Sequence, residues 1–484
     1  MGDSVNRNFY SSDHPNVWHH EVVKKERESY RIGRDFLVML SIITVMDNRK
    51  YFNFKENSML MFRYLLLTII LSMALSVQAQ KDMRNYITEN ASQVTSIHPD
   101  SVDFNDLESI GKAIGNARVV MLGEGDHGDA ATFEAKTRLI RYLHEKKGFN
   151  VLAMESDFFG LNRGWDQVNK TPEDIITFLK KNVTSVWSFC DGCQDLFKKL
   201  VPKSFTTGNP IQMTGFDNQL ALNYSSKNLT HQLDSVMRAF QLPVTQQSDY
   251  AKGLLPVIDS LTWFLIVTKP AIFYDNAASL LSKVKGEIAA VAGDTSFWTM
   301  VVENLVHLAN ELKYLPSDES KYRNERDQQM ARNLAWICKV KYPSEKIIVW
   351  AQNFHVSKNS GHYPARAFNK FISMGTAFTN DTVLGKQTYI IGFTSAEGLS
   401  GRIGMKPYEV ETPPKNSLEK WLPENYAYAF VDFKKFNDLQ TGSLPEFNMN
   451  GSVFYIHKKQ SLKWTSIFDG VFYIKTMVPC RMAK

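Results

Sequence analysis

The stretch ARVVMLGEGDH, residues 117–127, precedes ATFEAKTRLIRYLHEKKG at 131–148 and FNVLAMESD at 149–157. The first and third segments are apolar runs that end in polar residues, which is typical of buried strands. The middle segment has apolar residues at helical spacing and ends at Gly148, a common helix stop. Together they predict a β–α–β unit whose connection is long enough to join two parallel strands.

The same strand pattern recurs further along the chain, in PIQMTGFDN at 210–218, KIIVWAQNFH at 346–355, QTYIIGFTSAEG at 387–398 and SIFDGVFYIKT at 466–476. Continuous apolar strands are typical of a sheet covered on both faces. We therefore predict an α/β fold with a mostly parallel sheet flanked by helices. In such sheets, ligands bind beyond the carboxyl ends of the strands.

Residues from about 221 to 341 have a different pattern, with helical segments broken by Pro and Gly. We predict a helical insertion here that lies over the carboxyl ends of the strands. The predicted catalytic region as a whole is 80–484.

The region upstream contains a segment typical of an export signal. In residues 59–79, Arg63 precedes an apolar stretch and Val77-Gln78-Ala79 has the small residues of a cleavage site. Residues 1–58 are then either an extension created by a wrong start site or part of an internal anchor. The prediction is an exported protein, periplasmic or secreted, which is membrane-anchored if the signal is not cleaved.

Composition excludes several classes of protein. The net charge of +6 is dispersed, which argues against a nucleic-acid partner. Of the four cysteines, Cys190 and Cys193 form a C-x-x-C, but no second pair completes a zinc site. We interpret them as buried packing cysteines. No membrane partner beyond export is expected, and the oligomeric state is left open.

Acidic residues and histidines follow the strands, and six of them are expected to share one crevice: Glu124, His127, Glu155, Asp217, Asn353 and His355. A carboxylate beside His127 can fix its tautomer and make it a general base for water. Two alternatives are a histidine that caps the turn and a metal ion held by histidines and carboxylates.

The loop 123–128 also fits G-x-G-x-x-G, but Glu124 and Asp126 would repel a pyrophosphate. A dinucleotide is therefore disfavoured, and no cofactor or metal is expected. G-x-S-x-G, Walker A and H-E-x-x-H patterns are absent from the sequence, which excludes those signatures for hydrolases and nucleotide-binding proteins.

LGEGDHG at 122–128, TRLIRYLHEKKGFNVLAMES at 137–156 and IIVWAQNFHVS at 347–357 resemble the erythromycin esterase family. The resemblance covers most of residues 105–400. It implies metal-independent hydrolysis of an ester or macrolide lactone and a role in macrolide resistance. By position, His127 would be the base, Glu124 and Glu155 would orient it or the water, and His355 would contact the substrate or the oxyanion.

The chain departs from the family pattern at three positions. Gln352 and Lys136 stand where relatives usually have His and Arg, and Asp126 replaces a small or hydroxyl residue. We expect these three residues, with Asn353 and Asp217, to contact a small-molecule ester or lactone. The departures at Gln352 and Lys136 keep open a non-catalytic extracytoplasmic ligand-binding protein. A further alternative is an enzyme of envelope polysaccharide biosynthesis that uses the same base with a different acceptor.

Overall fold

The computed structural model describes residues 78–483, apart from 267, 316, 364–369, 441, 452, 454 and 455, and upstream of these only 64, 65 and 67. The chain divides into two compact units, Met1–Val77 and Gln78–Lys484, and the features below all belong to the second. The predicted extension 1–58 and most of the predicted signal 59–79 lie outside the described residues. Within the described ranges, no helix has the length and apolar character needed to cross a membrane.

A mixed, mainly parallel sheet forms the centre of the second unit. The strands are β1 Ser92–Val94, β2 Val119–Leu122, β3 Phe149–Asp157, β4 Gln212–Asp217, β5 Lys346–Trp350, β6 Thr388–Ser400, β7 Tyr408–Glu409, β8 Tyr428–Asp432, β9 Phe447–Met449, β10 Gln460–Leu462 and β11 Gly470–Met477. They lie in the order β1–β8–β11–β6–β2–β5–β3–β4, with β7 paired to β6 and β9 to β10. The six strands from β11 to β4 run parallel, whereas β8 and β1 add an antiparallel edge.

Helices connect the strands. The α-helices are α1 Glu108–Ile114, α2 Ala130–Lys147, α3 Trp165–Gln167, α4 Pro172–Asn182, α5 Ser185–Ser188, α6 Val201–Ser204, α7 Asn223–Ala239, α8 Leu255–Thr262, α9 Ala271–Ala292, α10 Phe297–Tyr314, α11 Glu319–Trp336, α12 Asn353–Val356, α13 Met374–Thr379, α14 Thr382–Lys386, α15 Leu418–Trp421, α16 Phe433–Leu439 and α17 Trp464–Ile467. Residues 78–90 are also helical. Short 3₁₀ or π segments occupy Asn105–Leu107, Gly160–Gly164, Asp191–Cys193, Asp195–Leu200, Pro243–Gln246, Tyr250–Leu254, Ile337–Lys341 and Ser360–His362.

Both faces of the sheet are buried, which explains the continuous apolar strands. In β2, Val119 and Met121 pack into one hydrophobic cluster, whereas Val120 and Leu122 pack into a second on the opposite face. Successive side chains of a strand point to opposite faces, so four apolar residues in a row serve two cores. The predicted fold class is confirmed.

The elements that lead to the site match the sequence pattern closely. Strand β3 has the predicted bounds, and α2 ends at Gly148, whose positive φ of 74° suits a glycine after a helix. The segment predicted as a helical insertion contains α7 to α11. Its placement as a cover over the strand ends stays a prediction, although α11 brings two side chains to the site described next.

Candidate active site

The loop between β2 and α2 carries a histidine bonded to a buried carboxylate. His127 Nδ1 lies 2.9 Å from Oε1 of Glu124, and the indole N–H of Trp187 donates to the same oxygen at 2.9 Å. The Lys136 ammonium donates to the other oxygen at 2.6 Å. An ionised carboxylate only accepts hydrogen bonds, so the proton of neutral His127 is on Nδ1. The lone pair is then on Nε2, which has no hydrogen-bond partner among the described residues.

The ion pair between Glu124 and Lys136, beside His127, is fully buried. The side chains of Glu124 and Lys136 are both 0% exposed, and the Lys136 ammonium lies 4.0 Å from the ring centroid of Trp350. Burial lowers the pKa of Lys136, whereas Glu124 acts to raise it. The polar contacts of Lys136 are with Glu124 and the Ala351 carbonyl. Lys136 therefore affects the site through Glu124, and direct contact with substrate stays a prediction.

A second cluster of charges lies at the carboxyl ends of the next strands. Arg326 of α11 donates from Nε and Nη2 to the two oxygens of Asp217, at 3.1 and 2.7 Å. Its Nη2 also donates to Oε1 of Glu155 at 2.9 Å, and its Nη1 lies 3.3 Å from Nε2 of His355. The planar guanidinium thus joins three predicted site residues from β3, β4 and α12, the short helix after β5.

The neighbours of each group fix the charges in this cluster. Burial alone would raise the pKa of Glu155, but the adjacent His355 and Arg326 outweigh it and lower that pKa to about 2. Burial also opposes the charged form of His355. Its pKa is nevertheless raised by Asp327, 2.9 Å from Nδ1, and by Glu155. Glu155 is therefore a carboxylate, and a positive charge on His355 is stabilised.

Gln352 connects the two clusters. Its backbone N–H donates to Oε2 of Glu155 at 3.0 Å, and its side-chain amide donates to the carbonyl of Gly125 at 3.3 Å. His127 also contributes to lowering the pKa of Glu155. The two clusters therefore form one site. Gln352, which stands where relatives usually have His, connects them.

Two other predicted residues hold the surrounding backbone. Asn353 is fully buried, and its amide donates to the carbonyl of Phe393 while its Oδ1 accepts from the N–H of the same residue. Asp126 accepts from Arg402 at 2.7 Å and from the Tyr408 hydroxyl at 2.9 Å. These contacts give Asn353 and Asp126 a structural role, and substrate binding by either residue stays a prediction.

Little of the site is exposed to solvent. The side chains of His127 and Arg326 are 16% and 18% exposed, whereas those of Glu155 and His355 are 2% and 6% exposed. A groove of about 880 Å³, lined in part by Arg141, contains none of the predicted site residues. Gln352 is also half-buried, so His127, Arg326 and Gln352 are the members of the site that a ligand from solution meets first.

Sequence reasoning missed three residues that organise the site. Arg326 and Asp327 lie in ERDQQMARNLAWICKV, residues 325–340, which was interpreted only as a helix. Charged residues on a helix give no signal of their partners until the fold brings the strand ends beside them. The third is Trp187: an aromatic residue in an apolar segment predicts a core or pocket residue, but its indole N–H donates to Glu124.

The cysteines differ from the expectation. Cys190 is bonded to Cys480, 290 residues later, while Cys193 and Cys338 are buried free thiols. The interpretation of Cys190 as a packing residue was therefore wrong, because its partner is remote in sequence. Within the described residues, Cys190, Asp191 and Cys480 are the one group of metal-type donors that lie close together. Two sulfurs bonded to each other do not offer the thiolates that a metal needs.

The chain resembles known proteins over most of its length. The family model Erythromycin esterase matches residues 144–477. YbfO of Bacillus subtilis (strain 168) is 25% identical over 408 residues, which covers 78% of this chain and 88% of that protein. Erythromycin esterase type II of Escherichia coli is 24% identical over 424 residues, which covers 78% and 94%.

A solved structure shows the same fold. A mutant of the erythromycin esterase EreC in its open conformation has a TM-score of 0.59 to this chain at 18% identity, covering 80% of this chain and 97% of that one. The family match begins downstream of the His127 loop but includes Glu155, Arg326 and His355. It spans well over half of the sequence, and this chain therefore belongs to the erythromycin esterase family of hydrolases.

Proposed function

We propose that this protein hydrolyses the ester or lactone bond of a small molecule, with His127 as the general base. The observation that carries the proposal is the contact of His127 Nδ1 with the buried Glu124 carboxylate, which leaves Nε2 as the basic atom. A base with this arrangement can take a proton from water, and the carboxylate stabilises the imidazolium that forms.

The reaction has two proton transfers. His127 Nε2 takes a proton from water while the water oxygen bonds to the carbonyl carbon, which gives a tetrahedral oxyanion. The carbon–oxygen bond to the leaving group then breaks as the imidazolium returns the proton to that oxygen. The products are a carboxylic acid and an alcohol, or one hydroxy acid from a lactone.

The second cluster supplies positive charge for the oxyanion. Arg326 is 18% exposed and is held by Asp217 and Glu155, so its guanidinium keeps a fixed position without rearrangement. His355 adds a second stabilised positive charge beside it. We assign no metal and no cofactor to the reaction, since the chain's own residues supply both base and cation.

Macrolide lactones are the first substrates to test, because the relatives include proteins named erythromycin esterases. The purified protein is incubated with erythromycin and a panel of other lactones and esters, and the masses of the products are determined by mass spectrometry. We expect a gain of one water that disappears in His127→Ala. A positive result with erythromycin would also support the predicted role in macrolide resistance.

His307→Ala is the matched control. His307 also places Nδ1 against a carboxylate, Glu325 at 2.7 Å, and its side chain is also 16% exposed, but it lies on α10. This variant should keep full turnover. Full turnover in His127→Ala would overturn the assignment of the base. A ligand that raises the melting temperature and gains no water in any test would instead favour the non-catalytic binding protein.

We also propose that the protein is exported. The disulfide Cys190–Cys480 supports this, because such bonds persist in oxidising compartments and are rare in the cytosol. N-terminal sequencing of the native protein tests the proposal, with an expected start near Gln80. A start upstream of residue 59 would contradict cleavage at the predicted signal.

A further inference from the structure

The Cys190–Cys480 bond joins the two segments that enclose His127. On one side, Cys190 follows the short helix α5, which carries Trp187. The Trp187 ring packs edge-on against the His127 ring, with centroids 5.1 Å apart, and its indole N–H donates to Glu124. The orientation of Trp187 therefore affects both the packing of the His127 ring and one hydrogen bond to Glu124, the carboxylate that contacts His127.

On the other side, Cys480 belongs to the segment that follows β11, and this segment holds the backbone directly after His127. The N–H of Cys480 donates to the carbonyl of Gly128 at 3.0 Å, and the N–H of Ala130 donates to the carbonyl of Val478 at 2.9 Å. These bonds fix the loop where it enters α2. The disulfide thus connects the segment of Trp187, which packs against the His127 ring, to the segment after β11, which holds the backbone that follows His127.

Other contacts also span this connection, and Gly192 packs closely against Ala130 at the start of α2. Asp191 and Arg481 exchange two hydrogen bonds of 3.0 Å, and the N–H of Ala483 donates to the Phe189 carbonyl at 2.8 Å. Arg481 is exposed and Ala483 is half-buried, so water competes for these bonds. The disulfide itself is buried, with Cys190 at 0% and Cys480 at 7% exposure.

We propose that the Cys190–Cys480 disulfide positions Trp187 and the His127 loop against each other, and that its reduction lowers the rate of catalysis. Both cysteines are positioning residues, since neither touches the reacting atoms. The inference rests on the proposed function. Reduction by an external phosphine breaks the S–S bond and leaves one proton on each sulfur; the phosphine gives up two electrons and takes the oxygen of a water molecule to become its oxide.

The neighbouring Cys193 does not open this bond in the folded protein. Burial raises the pKa of the Cys193 thiol well above its ordinary value, so its thiolate, the attacking form, is scarce at neutral pH. In a variant that lacks only Cys480, however, Cys190 is left three residues from Cys193. The test therefore replaces both bonded cysteines.

The experiment compares the full protein with the double variant Cys190→Ser/Cys480→Ser and with Cys338→Ser, which removes a buried free thiol in the segment Ile337–Lys341. One readout is independent of any substrate: the rate at which diethyl pyrocarbonate modifies His127, followed by peptide mass spectrometry. The other is the separation of kcat from KM. In the double variant we expect at least threefold faster modification of His127 and at least tenfold lower kcat with little change in KM.

Each result decides the proposal. An unchanged rate of modification of His127 in the double variant overturns the positioning role, as does an unchanged kcat or the same effect in Cys338→Ser. If the double variant does not fold, the purified protein is reduced with tris(2-carboxyethyl)phosphine and the same two readouts apply. If no ester is hydrolysed at all, the proposed function fails, but the modification rate of His127 still tests the connection.

Discussion

Glu124 has two roles that variants can separate: it orients His127 for catalysis, and it pairs with Lys136 in the folded protein. The test replaces Glu124 by Gln and Lys136 by Met, singly and together. The two charged atoms are 2.6 Å apart and fully buried. At an effective dielectric constant of about 20 they attract by about 6 kcal/mol, much of which desolvation offsets. Removing one partner leaves a buried unpaired charge, which costs about 3–5 kcal/mol. Each single variant should lose about that much free energy of unfolding, and the double variant less than about 2 kcal/mol.

Activity should follow a different pattern from stability. In Glu124→Gln the new amide either faces Lys136 with its NH₂ group or donates to His127 Nδ1, which moves the histidine proton to Nε2 and removes the base. Without a carboxylate the imidazolium is also less stable, and kcat should fall about 10²- to 10⁴-fold. The double variant should recover stability but not kcat. Urea unfolding gives the first quantity and mass spectrometry of products the second.

One result would refute this reasoning. If the double variant recovers kcat together with stability, then Glu124 serves only to balance the charge of Lys136. Glu325→Gln is the matched control: Glu325 lies beside Arg326 on α11, but its carboxylate contacts His307 of α10 at 2.7 Å, a histidine that the proposed chemistry does not use. It should change kcat by less than about twofold.

Three further predictions test other parts of the site. Arg326→Met should lower kcat about 100-fold and the free energy of unfolding by about 3–5 kcal/mol, since Asp217 and Glu155 lose their shared partner; unchanged kinetics would remove Arg326 from the mechanism. Burial, with Asp217 nearby, raises the pKa of Glu311 from 4.5 to about 7, so the folded state holds that proton more tightly than the unfolded chain and stability is lost as pH rises from about 4.5 to 7. Glu311→Gln should cancel this loss, about 3 kcal/mol, in urea unfolding at pH 5 and pH 8; an equal pH dependence in both proteins would contradict the assignment. Dialysis against a chelator should leave turnover unchanged, because the imidazole and carboxylate atoms of the site do not form a close group of metal-type donors within the described residues; a loss restored by a divalent cation would contradict it.

The fold was predictable because its signals are local. Each buried parallel strand is a continuous apolar run, and Gly148 ends α2 within the same segment. The residues at the strand ends were also predictable, since a parallel sheet brings its carboxyl ends to one edge. The position of Glu155 or Asp217 at the end of a strand is enough for this prediction, and the residues that contact it in the fold need not be known.

The partners of those residues were not predictable in the same way. Arg326 meets Asp217 across 109 residues and Glu155 across 171, and Cys190 meets Cys480 across 290. Such pairs depend on how the helices return to the sheet, which composition and spacing do not encode. Trp187 shows the same limit at the level of one atom, because an aromatic residue in an apolar segment predicts burial and not the direction of its N–H group.

The long separation of the bonded cysteines has a consequence for how the protein matures. During synthesis Cys190 emerges with Cys193 only three residues away, long before Cys480 and before β4, β5, β6 and β11 have been made. Any oxidation in that interval favours the nearby thiol, because closing a short loop costs less entropy than closing a long one. The native bond then requires a thiol–disulfide exchange or delayed oxidation, and expression in a host with a disulfide isomerase should increase the yield of protein with a competent His127 loop.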